Sequence, residues 1–204
     1  MGVLTFCGIF LYGYQWKTSQ GINLIPNHHL SNFWPFTQSK KVSPIILRKD
    51  YLNRPAVLLE NFDSPVAKFY WTLWSRFHQA KKTEGAGIEK NSKSLVVIHS
   101  DAQNWALQSS YLIEVAPQDR FKLSADAKAE GESSYAAVSV VLYDAEKKVV
   151  EWKHGAQRIP ASGVWEKVEG VFEVPVGISF VRVRFTGHLP VHFYVDRLEL
   201  TRVE

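Results

Sequence analysis

Residues 120–130 read RFKLSADAKAE. Phe121, Leu123, Ala125 and Ala127 alternate with Lys122, Ser124, Asp126 and Lys128. Successive side chains of a β-strand point to opposite faces, so this period of two places the first set on a core and the second in water. The pattern returns at 179–185, with Val181, Val183 and Phe185 inward and Arg182 and Arg184 outward. In 134–143, Ala136, Val138, Val140 and Leu142 share one face, while Tyr135, Ala137, Ser139, Val141 and Tyr143 share the other.

Outward from these segments, short alternating runs occupy 57–60, 94–99, 105–115, 120–130, 134–143, 148–153, 166–174, 178–186 and 191–202. Turn-forming clusters separate them: Asn91-Ser92, Gly131, Asp144-Ala145, Ser162-Gly163, Gly177 and Gly187. Many short strands between turns predict an all-β fold, an antiparallel β-sandwich. Residues 66–80 (VAKFYWTLWSRFHQA) read as a short helix or a loop with an aromatic plug. In the last run Phe193 and Val195 share one parity and Leu198 and Leu200 the other, which predicts a β-bulge near Asp196-Arg197.

Charge divides the chain. Residues 1–55 hold six Lys and Arg against Asp50 alone, whereas residues 56–204 hold 18 against 19 Asp and Glu. The strand-rich part is therefore near neutral and lacks the net basic balance expected of a nucleic-acid-binding domain. Cys7 is the only cysteine, which excludes an internal disulfide and a Cys-based zinc site. Seven tryptophans are many for 204 residues, and such rings serve either aromatic-rich cores or binding surfaces.

Residues 1–16 carry no charge, and Tyr12, Tyr14 and Trp16 precede Lys17. Aromatics followed by a cation mark a membrane interface, so the run is expected to be an N-terminal membrane-anchoring helix. The alternative is a strand or helix buried in the domain. Residues 17–55, rich in Asn, Ser and Pro, read as a linker or neck, leaving 56–204 as the sandwich.

The order of several motifs resembles that of carbohydrate-binding modules with the galactose-binding-like jelly roll, the cellulose-, xylan- and laminarin-binding class. They are Asn61-Phe62-Asp63-Ser64, Lys93-Ser94-Leu95-Val96-Val97, Trp105 to Gln108, Val115 to Pro117, Phe121 to Ala125, Trp165 with Phe172, Val174 and Pro175, and Phe193 to Leu200. Gln118-Asp119 stands where that pattern has Gly after the proline. The resemblance implies a jelly roll over about 58–202 that binds sugar on an open sheet face or at loop tips. Tyr135, Tyr143, Trp152 and Trp105 are then candidates for stacking on a sugar ring, and Gln108, Arg184 and His154 for hydrogen bonds to it. Trp165 falls to the core. The resemblance also implies a structural Ca2+ between the first and last strands, with Asp63 and Asp196 at the matching places.

Catalytic signatures are missing from the sequence. No G-x-S-x-G occurs, Glu130 and Glu132 flank a turn, and Pro190 separates His188 from His192. The expectation is a non-catalytic, membrane-tethered, extracytoplasmic (periplasmic or cell-surface) domain that binds polysaccharide in synthesis, export or surface attachment. A protein–protein interaction domain with no sugar ligand is the alternative. Outward Trp and Tyr clustered on one sheet would favour sugar, and a face dominated by Lys122, Asp126, Arg182 and Arg184 would favour protein.

Overall fold

The computed structural model describes residues 45–47, 56–64, 67–75, 80–131 and 135–203. Among these, thirteen strands form two sheets. In chain order they are β1 (Ile45–Leu47), β2 (Ala56–Glu60), β3 (Trp71–Ser75), β4 (Ala80–Ala86), β5 (Lys93–His99), β6 (Asn104–Ser109), β7 (Tyr111–Glu114), β8 (Arg120–Glu130), β9 (Tyr135–Tyr143), β10 (Val149–Ile159), β11 (Glu166–Glu173), β12 (Phe180–His188) and β13 (Val191–Val203). A 3-10 turn at Ala67–Tyr70 leads into β3.

The seven-stranded sheet runs β10-β9-β12-β6-β3, with β7 also pairing β12 and carrying β1 in parallel. The six-stranded sheet runs β11-β8-β13-β5-β4, with β2 pairing the second half of β13. Apart from β1, every pairing is antiparallel. This is an all-β sandwich, as the alternation predicts, and it is consistent with the jelly roll that the resemblance implies.

Its core is built by the predicted parities. Val181, Val183 and Phe185 of β12 and Val138 and Val140 of β9 meet Phe121, Leu123, Phe193 and Val195 of the opposite sheet, all fully buried. Rings join the two layers: Phe62 contacts Trp71 at 5.7 Å, Trp71 contacts Phe185 at 5.8 Å, Phe185 contacts Phe193 at 5.4 Å and Phe193 contacts Trp105 at 5.2 Å. Gly187, expected as a turn, lies inside β12. A Cβ there would stand 2.5 Å from the Trp105 ring, so the missing side chain makes room for the indole.

Three strands, β1, β3 and β4, fall outside the periodic runs. In β3, Trp71 points inward and Trp74 outward, so aromatics on both faces hide the alternation. In β4, AKKTEGA holds no large apolar residue, because it is an edge strand bonded to β5 alone. Ile45–Leu47 lies within the stretch read as a neck, and the compact unit runs from Pro44 to Glu204.

The expected bulge is present. The register of β13 on β8 shifts between Asp196 and Glu199, and Arg197 takes a φ of 43°. There β13 exchanges β5 for β2 as its neighbour. Ser124 and Asp126 depart from their expected exposure: both are buried on the outer face of β8, where the bulge brings the Arg197 guanidinium onto Asp126. Trp165 also departs from its expected place. It flanks the outward parity of β11 and packs edge-on to Tyr194 on the outer face of the six-stranded sheet, at 6.2 Å.

The apolar run 1–16 and most of the neck lie outside the described residues. Among the described residues no helix is long and apolar enough to cross a membrane.

Candidate functional site

The outer face of the seven-stranded sheet gathers most of the candidate residues. β12 runs down its middle and presents Phe180, Arg182, Arg184, Thr186 and His188 to that face. Two rows across the sheet define the site. One runs Thr72, Gln108, Arg184 and Ser139 over β3, β6, β12 and β9. The next runs Trp74, Ala106, Thr186, Ala137 and Arg158, reaching β10. Neighbouring strands lie about 4.8 Å apart, so the five strands span roughly 19 Å.

A tryptophan stands at each edge of this span. Trp74 on β3 is 56% exposed and Trp152 on β10 is 53% exposed. Between them the floor is low, because Ala106, Ala137, Ser139 and Thr186 carry small side chains and are buried. Trp74 lay in the segment read as a helix or plug and was not among the candidates. Its signal was the parity it shares with Thr72, opposite Trp71.

The aromatic candidates separate by environment. Trp152 lies under the Arg184 guanidinium at 4.8 Å, and about half of it remains exposed. Tyr135 lies at the far end, with its ring 5.5 Å from that of His188 and 5.9 Å from the Arg158 guanidinium. Tyr143 is on the expected face but only 7% exposed, packed with Leu112, Val141, Val149 and Phe180 and covered by Arg182 at 5.4 Å. Burial pushes its hydroxyl above the usual tyrosine range, against the pull of Arg182 and Arg184. It seals one end of the face rather than offering a ring.

Two candidates are corrected. Trp105 is 1% exposed and points into the core against Phe193, because β6 sets it inward, opposite Gly187. No sugar can reach its ring. His154 points away from the outer face. Register shifts in β10 between Glu151 and His154, and between His154 and Gln157, turn it toward the seam with β11. There Nδ1 meets Glu151 Oε2 and Nε2 meets the Glu173 carbonyl, each at 3.0 Å, and the ring stands edge-on to Phe172. Both nitrogens are engaged, which removes it as a ligand donor.

Gln108 and Arg184 stay in place, paired across β6 and β12. Burial lowers the Arg184 pKa from its usual value, opposed by Tyr143. The Nε atoms of Arg182 and Arg184 and the Thr186 hydroxyl are shut from solvent without a hydrogen-bond partner. Arg182, like Trp74, was not named as a ligand residue from the sequence.

Asp63 and Asp196 lie elsewhere, beside the turn between β4 and β5. Asp196 Oδ2 accepts from Ile88 N–H at 3.1 Å and from the Ser92 hydroxyl at 3.4 Å, while Oδ1 accepts from Arg197 N–H at 2.8 Å. Asp63 Oδ1 accepts from Lys93 N–H at 2.9 Å, and its Oδ2 from the Asn61 amide at 2.9 Å. The two carboxylates thus hold the two sides of one turn. Among the described residues no group of three or more His, Cys, Asp or Glu converges as a metal site.

No family model and no curated protein matches the sequence. Solved structures do match the fold. The chain superposes on the CBM22-1–GH10 modules of Clostridium thermocellum xylanase 10B, solved with xylohexaose, at a TM-score of 0.55 and 18% identity over 73% of this chain. It superposes on the CBM22-1 xylan-binding domain of Paenibacillus barcinonensis Xyn10C at 0.52 and 15% identity, over 72% of this chain and 94% of that one. These likenesses show the fold, a jelly-roll β-sandwich. A further match is the enzymatically active domain of the bacteriophage CBA120 tailspike protein 4, at 0.56 and 17% identity. The chain spans only 19% of that tailspike domain and 28% of the two-module xylanase, so the likeness is to one module of larger proteins.

Proposed function

We propose that the protein is a non-catalytic glycan-binding domain that takes a polysaccharide across the outer face of the seven-stranded sheet. Trp74 and Trp152 carry this reading: two half-exposed indoles rise from opposite edges of one face with a low, polar-dotted floor between them. An indole offers a flat apolar surface to the C–H face of a sugar ring, while Gln108, Thr72 and Arg184 supply hydrogen-bonding groups in the intervening row. Convergent polar groups among aromatic walls are the usual make-up of a small-molecule site. Solved modules of the same fold include one with xylohexaose bound and one described as xylan-binding, which supports sugar as the ligand class.

Attachment to a membrane through residues 1–16, with this domain extracytoplasmic, belongs to the same proposal. Fractionation of cells making the full chain, followed by protease treatment of intact cells, tests both parts. For Asp63 and Asp196 we infer the turn-holding role, and calcium at that place is tested by the melts described below.

The binding test is a glycan array of neutral and acidic polysaccharides probed with the full chain and with the Trp74→Ala/Trp152→Ala variant. The wild type is expected to bind at least one polymer, with the double variant weaker by more than about tenfold, the scale of losing one or two buried aromatic contacts. Equal binding by both chains would move the site off this face. No binding by a folded wild type would favour the protein-interaction alternative.

A further inference from the structure

Three arginines lie on the outer face of the seven-stranded sheet: Arg182 and Arg184 on β12 and Arg158 on β10. Their guanidinium groups lie over rings, Arg182 on Tyr143, Arg184 on Trp152 and Arg158 on Tyr135. Among the described residues none of the three makes an ion pair, although such pairs are frequent elsewhere in the sandwich. Two acids of the same sheet, Glu151 and Glu114, are not among their partners. Glu151 is taken by His154 at 3.0 Å, and Glu114 lies opposite Phe180, at the sealed apolar end. The Nε–H groups of Arg182 and Arg184 are withdrawn from water and still have no acceptor.

A guanidinium stacked on a ring keeps its N–H groups in its own plane; with Nε shut from solvent, the two terminal Nη groups remain to meet a ligand at the outer edge, and their planar fork matches a carboxylate or sulfate. A buried donor without an acceptor is rare and calls for an explanation. Two residues apart on one strand, Arg182 and Arg184 have Cα atoms about 7 Å from each other. That separation lets one extended chain meet both.

We infer that the glycan held on this face is anionic, a polysaccharide with carboxylate or sulfate groups that take the free edges of Arg182 and Arg184 while its rings pack on Trp152 and Trp74. This rests on the reading of the face as a sugar-binding surface. It explains why exposed indoles share a face with Arg158, Arg182 and Arg184, none of which has a carboxylate partner among the described residues.

The test is affinity electrophoresis and calorimetry of the full chain against polygalacturonate, dextran sulfate, neutral xylan and poly-glutamate, at low and high salt. The expected result is binding to polygalacturonate or dextran sulfate, whichever acid is preferred naming the group, with weakening at high salt and little affinity for neutral xylan. Arg184→Met, which keeps a side chain on Trp152, should lose about ten- to a hundredfold, the scale of a charge-assisted hydrogen bond, and Arg184→Lys less. A circular-dichroism melt of each variant separates lost binding from lost folding. Binding to neutral xylan alone, unaffected by Arg184→Met, would overturn the anionic inference and leave the proposed function standing. Poly-glutamate bound as tightly as polygalacturonate would overturn sugar recognition in favour of an acidic peptide. Binding to none of the four would overturn both.

Discussion

On the outer face of the six-stranded sheet Lys122 meets Glu169 at 2.8 Å, Lys128 meets Glu130 at 2.7 Å, and Arg197 bridges Asp126 and Glu89. On the outer face of the seven-stranded sheet Arg158, Arg182 and Arg184 lie on aromatic rings, and their charges find no carboxylate among the described residues. Both faces alternate with the same core behind them. The first is closed electrostatically and needs nothing further. The second leaves buried donors without acceptors and two half-exposed indoles, the features on which the proposed glycan site rests. Arginines serve both faces, so composition does not separate them. What separates them is what stands beside each cation: β11 brings Glu169 to Lys122 of β8, while β6 and β9 bring Gln108 and Ser139 to Arg184 of β12.

The comparison can be broken most forcefully at the closed face. Asp196→Ala removes the acceptor of the Ile88 N–H, the Ser92 hydroxyl and the Arg197 N–H around a buried carboxylate. Orphaned buried donors cost about 1–3 kcal/mol each, and relaxation of the turn recovers part of that, so a loss of about 3 kcal/mol is expected in a urea melt. Melts of the wild type with Ca2+ and with a chelator belong beside it. Coincident curves agree with N–H groups as the partners of Asp63 and Asp196. A clear upward shift with Ca2+ would replace that role with a metal.

A matched pair of arginine substitutions sharpens the contrast. Arg197→Met leaves Asp126 buried without its cation and should cost about 1–3 kcal/mol, with glycan binding unchanged. Arg184→Met abandons no carboxylate and should move stability by no more than about 1 kcal/mol, the worth of its cation–π contact, while binding falls. If Arg184→Met proves as destabilising as Arg197→Met, Arg184 is a structural residue and the two faces do not differ as described.

The strands were legible wherever one face was apolar and the other polar, as in β8 and β12. They were not legible where that rule failed. β3 carries indoles on both faces, and β4 is a polar edge, so neither shows a period of two against its surroundings. The bulge in β13 was legible because a bulge must change parity, and Leu198 follows Val195 out of phase. The site was read less well. Parity placed Tyr135 and Arg184, but it could not see that the irregular register of β10 turns His154 into a seam while Trp152 stays outward. The inward place of Trp105 is not legible locally, because its indole needs a space that the missing side chain of Gly187 provides on another strand. Gln118 shows the opposite case. It departs from the glycine of the resembled pattern yet takes a φ of 69°, so the backbone demand of that turn persisted when the residue changed.

Glu60 offers the smallest and most selective test, because it is an acid of the six-stranded sheet that the pairing rule does not cover. It ends β2, half-buried, and its carboxylate accepts from Phe62 N–H at 3.1 Å. Burial pushes its carboxyl above the usual range, the Phe62 hydrogen bond pulls the other way, and repulsion from Asp63 adds to the rise. A raised pKa in the fold means that the protonated form is the better accommodated one. Its stabilising contribution is therefore complete below the unfolded pKa and is lost as pH climbs through the raised value. Glu60→Gln keeps an oxygen for Phe62 and cannot ionise. At pH 4 the variant and the wild type should melt together. At pH 7 the variant should melt higher by about 2–4 °C, the scale of 1 kcal/mol in a domain of this size. A variant that melts lower at pH 7 than at pH 4, relative to wild type, would show that the charge is stabilised in the fold. The Phe62 hydrogen bond would then outweigh burial and the repulsion of Asp63 in holding the carboxylate ionised.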